Sequence, residues 1–383
     1  MRGNVNLLRL VQVCTGYPPD RRGGIENIVK LLHETALQNS YESFVVTRYW
    51  NTTIDTRNII QIRTPSNEIA GYATWAIRAF KRIINLKPNL VHCHGLEGAM
   101  VGLMTSHVGI PTIMHLHNSL SREDAFFESL LHRMGYAILK SACKGASLII
   151  VPTKAVKDDI VKHTSEEIDK KIMVIPNPVE VSPSWSETDL SNFKKQHGFE
   201  GKKIVLYFGK IKRTKGIESL CRAYEKLNDE SVLLIIAGAP TATSNFLDYL
   251  RKQYPKVIFT GYVEDATPYY QSADAFCIYT RGFEGGETFA ISLGEAMFYR
   301  VPLICSDSPI YREVTGGFAT FVPPNNEAEL AKAIKYVLKT EHRDSESTLL
   351  AYRLAYERYR PAIFWQKVVE SYFHVLKTYF RDI

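Results

Sequence analysis

The sequence predicts an α/β protein of two doubly wound, parallel-sheet domains. Three observations carry that prediction. Apolar strand runs alternate with amphipathic helices through the first half, as in Asn6–Cys14, Asn89–Gly95 and Thr112–Asn118. The alternation is interrupted by a polar, proline-bearing stretch, Glu180–Glu187, and restarts at Lys203–Phe208. In both halves a strand runs into a glycine loop that opens a helix, at Gly23-Gly24 and at Gly209–Gly216. A chain of 383 residues has room for both domains, placed at residues 1–180 and 188–360 with the intervening stretch as linker.

Composition narrows the function classes. Hydrophobic content of 45% and charged content of 23% are those of a soluble globular protein. No apolar run approaches the roughly 18 residues that a bilayer span needs, and Met1–Leu10 is too broken by polar groups to serve as a signal peptide. Cys14, Cys93, Cys143, Cys221, Cys277 and Cys305 are scattered with no C-x-x-C pair, so they read as small core residues of a reducing compartment, and the cytoplasm is expected. The net charge of +7 comes in small clusters, Arg78-Lys81-Arg82 and Lys210-Lys212-Arg213-Lys215, without a nucleic-acid motif. No nucleic-acid partner is expected.

Taken in order, the first strand leads through Thr15–Asp20 to Gly23-Gly24 and a helix from about Ile25 to Leu37. The spacing is not G-x-G-x-x-G, so a nicotinamide fingerprint is absent; a tight turn or a phosphate-binding helix start both remain open. Ser43–Thr47 and Ile59–Arg63 read as strands. Tyr72–Ile84 reads as a helix with Trp75, Ile77, Phe80, Ile83 and Ile84 inward and Arg78, Lys81 and Arg82 outward. That basic side is either a solvated face or a contact for anionic lipid headgroups.

His92 and His94 share a face of the strand that ends at Gly95, where a metal or a strand-end pocket would both suit them. Nothing nearby obviously adds further ligands, so the pocket is the better reading and no metal is expected. His115 and His117 repeat the pattern on Thr112–Asn118, with His115 read as structural. A helical region, Ser121–Ala146, leads to the strands Ser147–Pro152 and Lys171–Val179.

In the second half, Lys203–Phe208 feeds Lys210 and Lys215 and then a helix from Ile217, a cationic cradle suited to a diphosphate. Strands Val232–Gly238 and Val257–Val263 end at glycines. The apolar run Ala275–Tyr279 precedes a loop with Gly282, Gly285 and Gly286, then a helix from about Phe289. This places Glu287 just ahead of a helix start and Glu295 two turns inside it, facing inward beside Ile291. A carboxylate beside a phosphate-binding helix start would serve hydroxyls, as a sugar presents; the spacing alone fits better a capping carboxylate at Glu287 and a solvated helix residue at Glu295. Val301–Cys305 and Thr320–Pro324 finish the sheet, and Pro361–Tyr379 is a core-facing helix carrying Phe364, Trp365, Val368, Val369, Tyr372 and Phe373.

The run Glu287-Thr-Phe-Ala-Ile-Ser-Leu-Gly-Glu295-Ala296 resembles the E-x7-E motif of retaining, nucleotide-sugar-dependent glycosyltransferases of the large group 1 (family 4) class, and the resemblance extends over nearly the whole chain. It implies the GT-B fold, with Pro361–Ile383 crossing back onto the first domain. Lys210 and Lys215 match the family's G-[RK]-x-x-x-x-K-G, where the cations hold the leaving diphosphate; Lys in place of Arg keeps charge and loses the bidentate fork. Gly23-Gly24 matches a loop that closes over the donor phosphates, and His117 matches a histidine beside the donor sugar. Gly238, Tyr262 and Val263 would line the base and ribose pocket. Glu287, Phe289, Ala290 and Ile291 would hold the sugar and phosphate, and Glu295 the ribose. Ala290 stands where the family usually has Gly, and Pro178 likewise.

The activity implied is transfer of a hexose or N-acetylhexosamine from a nucleotide-diphosphate sugar to a hydroxyl of a glycan or lipid-linked acceptor, without cofactor or metal, at the cytoplasmic face of a membrane or in the cytoplasm. A sugar-nucleotide epimerase and a non-catalytic binding subunit are the other classes.

Overall fold

The computed structural model describes residues 8–21, 23–56, 58–65, 68–117, 130–240, 245–280 and 287–381. The chain forms two compact units, residues 1–177 with 361–383, and residues 178–360. In the first unit the strands are β1 (Arg9–Val13), β2 (Glu42–Arg48), β3 (Ile59–Ile62), β4 (Leu90–His94), β5 (Thr112–His115), β6 (Leu148–Val151) and β7 (Ile172–Val174). They make one parallel sheet in the order β3-β2-β1-β4-β5-β6-β7. β4, β5 and β6 are buried at every residue, as befits strands covered by helices on both faces.

Two large apolar clusters, with a smaller one around Cys14, Tyr17, Val29 and Val45, pack on those faces among the described residues. Val11, Val13, Cys93 and Met114 pack with Trp75 and Ile83, while Leu10, Leu90 and Ile113 pack with Leu32 and with Phe364, Val368 and Tyr372 of the final helix, Pro361–Arg381.

The second unit repeats the design with β8 (Lys203–Phe208), β9 (Val232–Ala237), β10 (Ile258–Gly261), β11 (Ala275–Ile278), β12 (Leu303–Ser306) and β13 (Thr320–Val322), all parallel in the order β10-β9-β8-β11-β12-β13. Strand order reverses between β1 and β4 in one sheet and between β8 and β11 in the other. Loops leaving these neighbouring strands diverge, and the crevice they open is where ligands bind in such sheets.

Several expectations need correction. The helix read as Tyr72–Ile84 runs Glu68–Leu86. Its buried line is Trp75, Ala76, Ala79 and Ile83, whereas Ile77 and Ile84 are 50% and 39% exposed among Arg78, Lys81 and Arg82. Ile77 lies about 200° around the helix from Trp75, so the sheet cannot reach both. Phe373 is likewise on the outer side of the final helix.

Residues 180–187 are bonded to the second unit. Trp185 donates its backbone N–H to Gln271 and its indole N–H to Asp265, at 2.8 and 2.9 Å. Of the helical region expected at Ser121–Ala146, Leu130–Gly145 is helix; Ser121 to Ser129 and Asn118 lie outside the described residues, as do Gly282, Gly285 and Gly286.

Candidate functional site

In the second unit the site grows from the ends of β8 and β11. The loop after β8 is held to its neighbour by Gly209 N–H donating to Ala237 and Ile211 N–H to Ala239, both at 3.0 Å, with Ile211 buried. A short 3-10 turn, Arg213–Lys215, then ends at Gly216 with φ +64°. A Cβ on Gly216 would stand 1.6 Å from the carbonyl oxygen of Tyr279, just past β11. Only glycine lets the two strand-end loops touch. Their contact delivers Lys215 Nζ to Glu287 Oε1 in a direct ion pair, with both side chains largely shielded from solvent.

Beside this pair begins the helix Ile291–Phe298. Its N-cap, Ala290, is left-handed at φ +57°, and the Ala290 carbonyl accepts from Leu293 N–H at 3.0 Å. The start is two residues later than the apolar spacing suggests, because the chain must turn at Ala290 before the helix begins. An L-residue with a Cβ is strained here by about 1–2 kcal/mol. Ala290→Gly should therefore raise unfolding free energy by about 1 kcal/mol; urea denaturation showing an unchanged or lower midpoint would contradict this.

Glu295 is partly buried and accepts from Tyr270 Oη at 2.6 Å. Burial lifts its carboxyl above the ordinary range, and the Tyr270 hydrogen bond opposes that lift. Tyr270 is wholly buried and stacks on Tyr299 at 5.4 Å, so it is a fixed donor. Tyr262 is 68% exposed on the loop after β10 with Val263 half-buried next to it, open to a ligand. Lys210 is exposed. Arg213, in the same loop, lies over the Phe246 ring at 4.6 Å. Phe289 is core, edge-on to Tyr359 at 4.9 Å. Gly238 has a backbone reason to be glycine: a Cβ there would lie 1.9 Å from the Gly209 carbonyl oxygen.

In the first unit the matching edge carries Gly23 and Gly24, which open the helix Gly24–Gln38 after β1, and the histidines of β4 and β5. The parallel register sets Gln12 beside His92 and His94 beside His115. The rings stack, His92 on His94 at 4.3 Å and His115 on His117 at 4.2 Å. His94 contacts His117 through Nδ1 at 3.3 Å and the Gln12 amide oxygen through Nε2 at 2.9 Å. Tyr372 Oη meets His92 Nδ1 at 2.9 Å and accepts from Gln12 Nε2 at 3.0 Å.

Burial, together with the neighbouring imidazoles for the first three, drives His92, His94 and His115 well below the usual imidazole range, while burial takes His117 down to about 3. All four are neutral at pH 7. Contrary to the reading of His-x-His as short of further ligands, His92, His94 and His115 bring ring nitrogens within 4.8 Å of one another. Neutral imidazoles can ligate a divalent cation, but ligands aim their in-plane lone pairs at one centre. These rings are stacked, and both His94 nitrogens are engaged.

The two units thus share one architecture, with cations and carboxylates at one switch point and stacked imidazoles at the other. The family description "Glycosyltransferase Family 4" matches residues 22–182, and "Glycosyl transferases group 1" matches residues 189–349. This chain belongs to the group 1, family 4 glycosyltransferases.

The glycosyltransferase is 26% identical to an uncharacterized glycosyltransferase of Methanocaldococcus jannaschii, over 97% of this chain and 98% of that protein. It is 26% identical to the O-antigen chain mannosyltransferase B of Escherichia coli, over 66% of this chain and 64% of that one. Among solved structures it resembles HepE of Anabaena in complex with UDP and glucose, with a TM-score of 0.79, 17% identity, and coverage of 95% and 99% of the two chains. The fold is GT-B.

Within the glycosyltransferase, sequence reasoning missed Tyr270, Gln12 and Tyr372. Each reaches its partner across a strand or from a distant helix, and no local motif marks it.

Proposed function

We propose that this glycosyltransferase is retaining and metal-independent. It moves a hexose or N-acetylhexosamine from a nucleotide-diphosphate sugar to a hydroxyl of a glycan or lipid-linked acceptor, in the cytoplasm or at the cytoplasmic face of a membrane. The observation that carries this reading is the Lys215–Glu287 pair at the β8/β11 switch point, beside the helix start at Ile291. A cation and helix amides next to a carboxylate are what a sugar diphosphate needs: positive charge for the phosphates, an acceptor for the sugar hydroxyls.

In the reaction, the acceptor oxygen attacks the anomeric carbon from the side of the leaving group. The bond from that carbon to the diphosphate oxygen breaks with its electron pair going to the diphosphate. The acceptor proton passes to that same diphosphate oxygen. Lys215, Lys210 and the Ile291 amide stabilise the charge that grows there. Glu287 holds the sugar hydroxyls, Glu295 the ribose with Tyr270 fixing its carboxyl, and His117 serves the sugar as a neutral imidazole. Tyr262 and Val263 receive the base.

Among the described residues no helix is long and apolar enough to cross a membrane. The face bearing Ile77, Arg78, Lys81 and Ile84 supports peripheral contact with an anionic bilayer.

The test is a thermal-shift screen of UDP, GDP, ADP and their hexose conjugates in EDTA. UDP-glucose comes first, because the Anabaena relative was crystallised with UDP and glucose. One nucleotide at a hundred times its Kd should add about 2.7 kcal/mol of stability. No shift with any of them, or a shift appearing only with added metal, would overturn the reading or its metal independence respectively.

A further inference from the structure

A second concave feature lies in the first unit, away from the histidine stack. Arg48, Tyr49, Trp50, Arg63, Thr64 and Pro65 line a pocket of about 510 Å³ where β2 and β3 end. Its volume is that of a small-molecule site. It lies along the sheet edge that also presents Gly24 and His94, since all strands of a parallel sheet end on one edge.

Its two guanidinium groups are held by rings rather than by acids. Arg48 lies over Trp50 at 4.5 Å and Arg63 over Tyr49 at 4.7 Å. Among the described residues neither pairs with a carboxylate. Arg48 gives one terminal N–H to the Pro65 carbonyl, while its Nε and the Thr64 hydroxyl are buried with no partner among the described residues.

The nearby acid is already used. Asp20 accepts N–H groups of Trp50, Asn51 and Thr52 at 2.7–2.8 Å and the Gln61 amide at 3.0 Å. Those bonds fix the backbone of the turn, and Trp50 is pinned further by its indole N–H on Thr15. The result is a preset pair of fork-shaped cations with buried donors beside them, the arrangement that recognises planar or tetrahedral oxyanions.

We propose that this pocket binds an anionic oxygen group of the acceptor, a phosphate or a carboxylate, held between Arg48 and Arg63. The inference rests on the glycosyltransferase reading and adds the acceptor's chemical class to it. The ring-held guanidiniums lose little freedom on binding, so affinity comes from charge and geometry.

Isothermal titration of the full chain tests this, in phosphate-free buffer, with sn-glycerol 3-phosphate as a lipid-headgroup probe and D-glucuronate as an acidic-sugar probe. One probe should bind, and Arg48→Gln and Arg63→Gln should each weaken it by about tenfold or more. Arg63 is exposed, so its variant should fold, and an unchanged melting temperature checks that. Lys215→Ala should leave the binding intact, which separates this pocket from the diphosphate site. Retention of the phosphate probe alone assigns a phosphorylated acceptor; retention of glucuronate alone assigns a uronic acid.

Binding of neither probe, or binding lost only in Lys215→Ala, overturns the proposal. The nucleotide screen on the same preparations tells the failures apart. A normal donor shift with no anion binding sinks the pocket alone, and no donor shift sinks the glycosyltransferase chemistry beneath it.

Discussion

Lys215→Ala should lower kcat by about 10²–10³ while the protein remains folded. Lys215 sits at the end of a short turn, and the backbone of that loop is held to its neighbours through Ile211 and Gly216 whatever side chain stands at 215. In the proposed mechanism the variant loses the cation that would meet the departing diphosphate, a charge that would grow only as the glycosidic phosphate bond breaks. The loss should therefore fall on kcat more than on KM. Lys215→Arg keeps the charge and should recover part of the rate. Because Glu287 contacts Lys215, Glu287→Gln combined with Lys215→Ala should cost less than the sum of the single changes. Steady-state kinetics on an active donor–acceptor pair measure all of this; full turnover in Lys215→Ala would remove Lys215 from the mechanism.

Acid should unfold the first unit unusually early. His92, His94, His115 and His117 are buried and neutral, whereas in the unfolded chain each titrates near 6.5. Between those values the unfolded state binds more protons than the folded one, so stability rises with pH. The contribution is complete above about pH 6.5 and is lost progressively as pH falls toward the folded values, about 3 for His117. Each group that protonates only on unfolding steepens the dependence by about 1.4 kcal/mol per pH unit.

His33, lowered by burial to about 4, adds to the same slope. His115→Leu removes a ring whose two nitrogens are both buried without partners among the described residues. It should flatten the profile by about one proton and make the variant relatively more stable at pH 5. Melting temperature followed from pH 7.5 to 4.5 gives the answer; parallel curves for the two proteins would show that the stack does not titrate in this way.

The sequence made the repeat of strand and helix legible because parallel strands buried on both faces are near-continuous apolar runs. The resemblance to the E-x7-E and G-[RK]-x-x-x-x-K-G motifs also marked Lys215, Glu287 and Glu295; spacing alone would have left the two carboxylates as a helix cap and a solvated helix residue. It could not show that Lys215 and Glu287 touch, since that depends on Gly216 packing on Tyr279 across two strands. Tyr270 lay hidden for a similar reason: its partner is 25 residues away and its own neighbourhood reads as an ordinary helix. The helix of residues 68–86 misled in the opposite direction. Ile77 and Ile84 fit a broad apolar stripe, but the small residues Ala76 and Ala79 narrow the line that meets the sheet. Pattern fixes which residues are apolar; packing decides which of them are covered.

The final helix has a consequence for how the chain is made. Phe364, Val368, Tyr372, Val375 and Leu376 belong to the core of the unit whose strands are synthesised first. On the ribosome, residues 1–177 therefore emerge with part of one face of their sheet still bare, the part that the final helix covers beside Ile28 and Leu32, and it stays bare through synthesis of all of residues 178–360. The second unit holds its whole core in one continuous stretch and is free to fold first. The unit begun earliest is completed last, so the nascent chain carries an open apolar surface, and an unanchored Gln12 and His92, for about half of its synthesis. A chain stopped at Arg360 would keep that surface permanently, a substrate for chaperones rather than an enzyme with one domain missing.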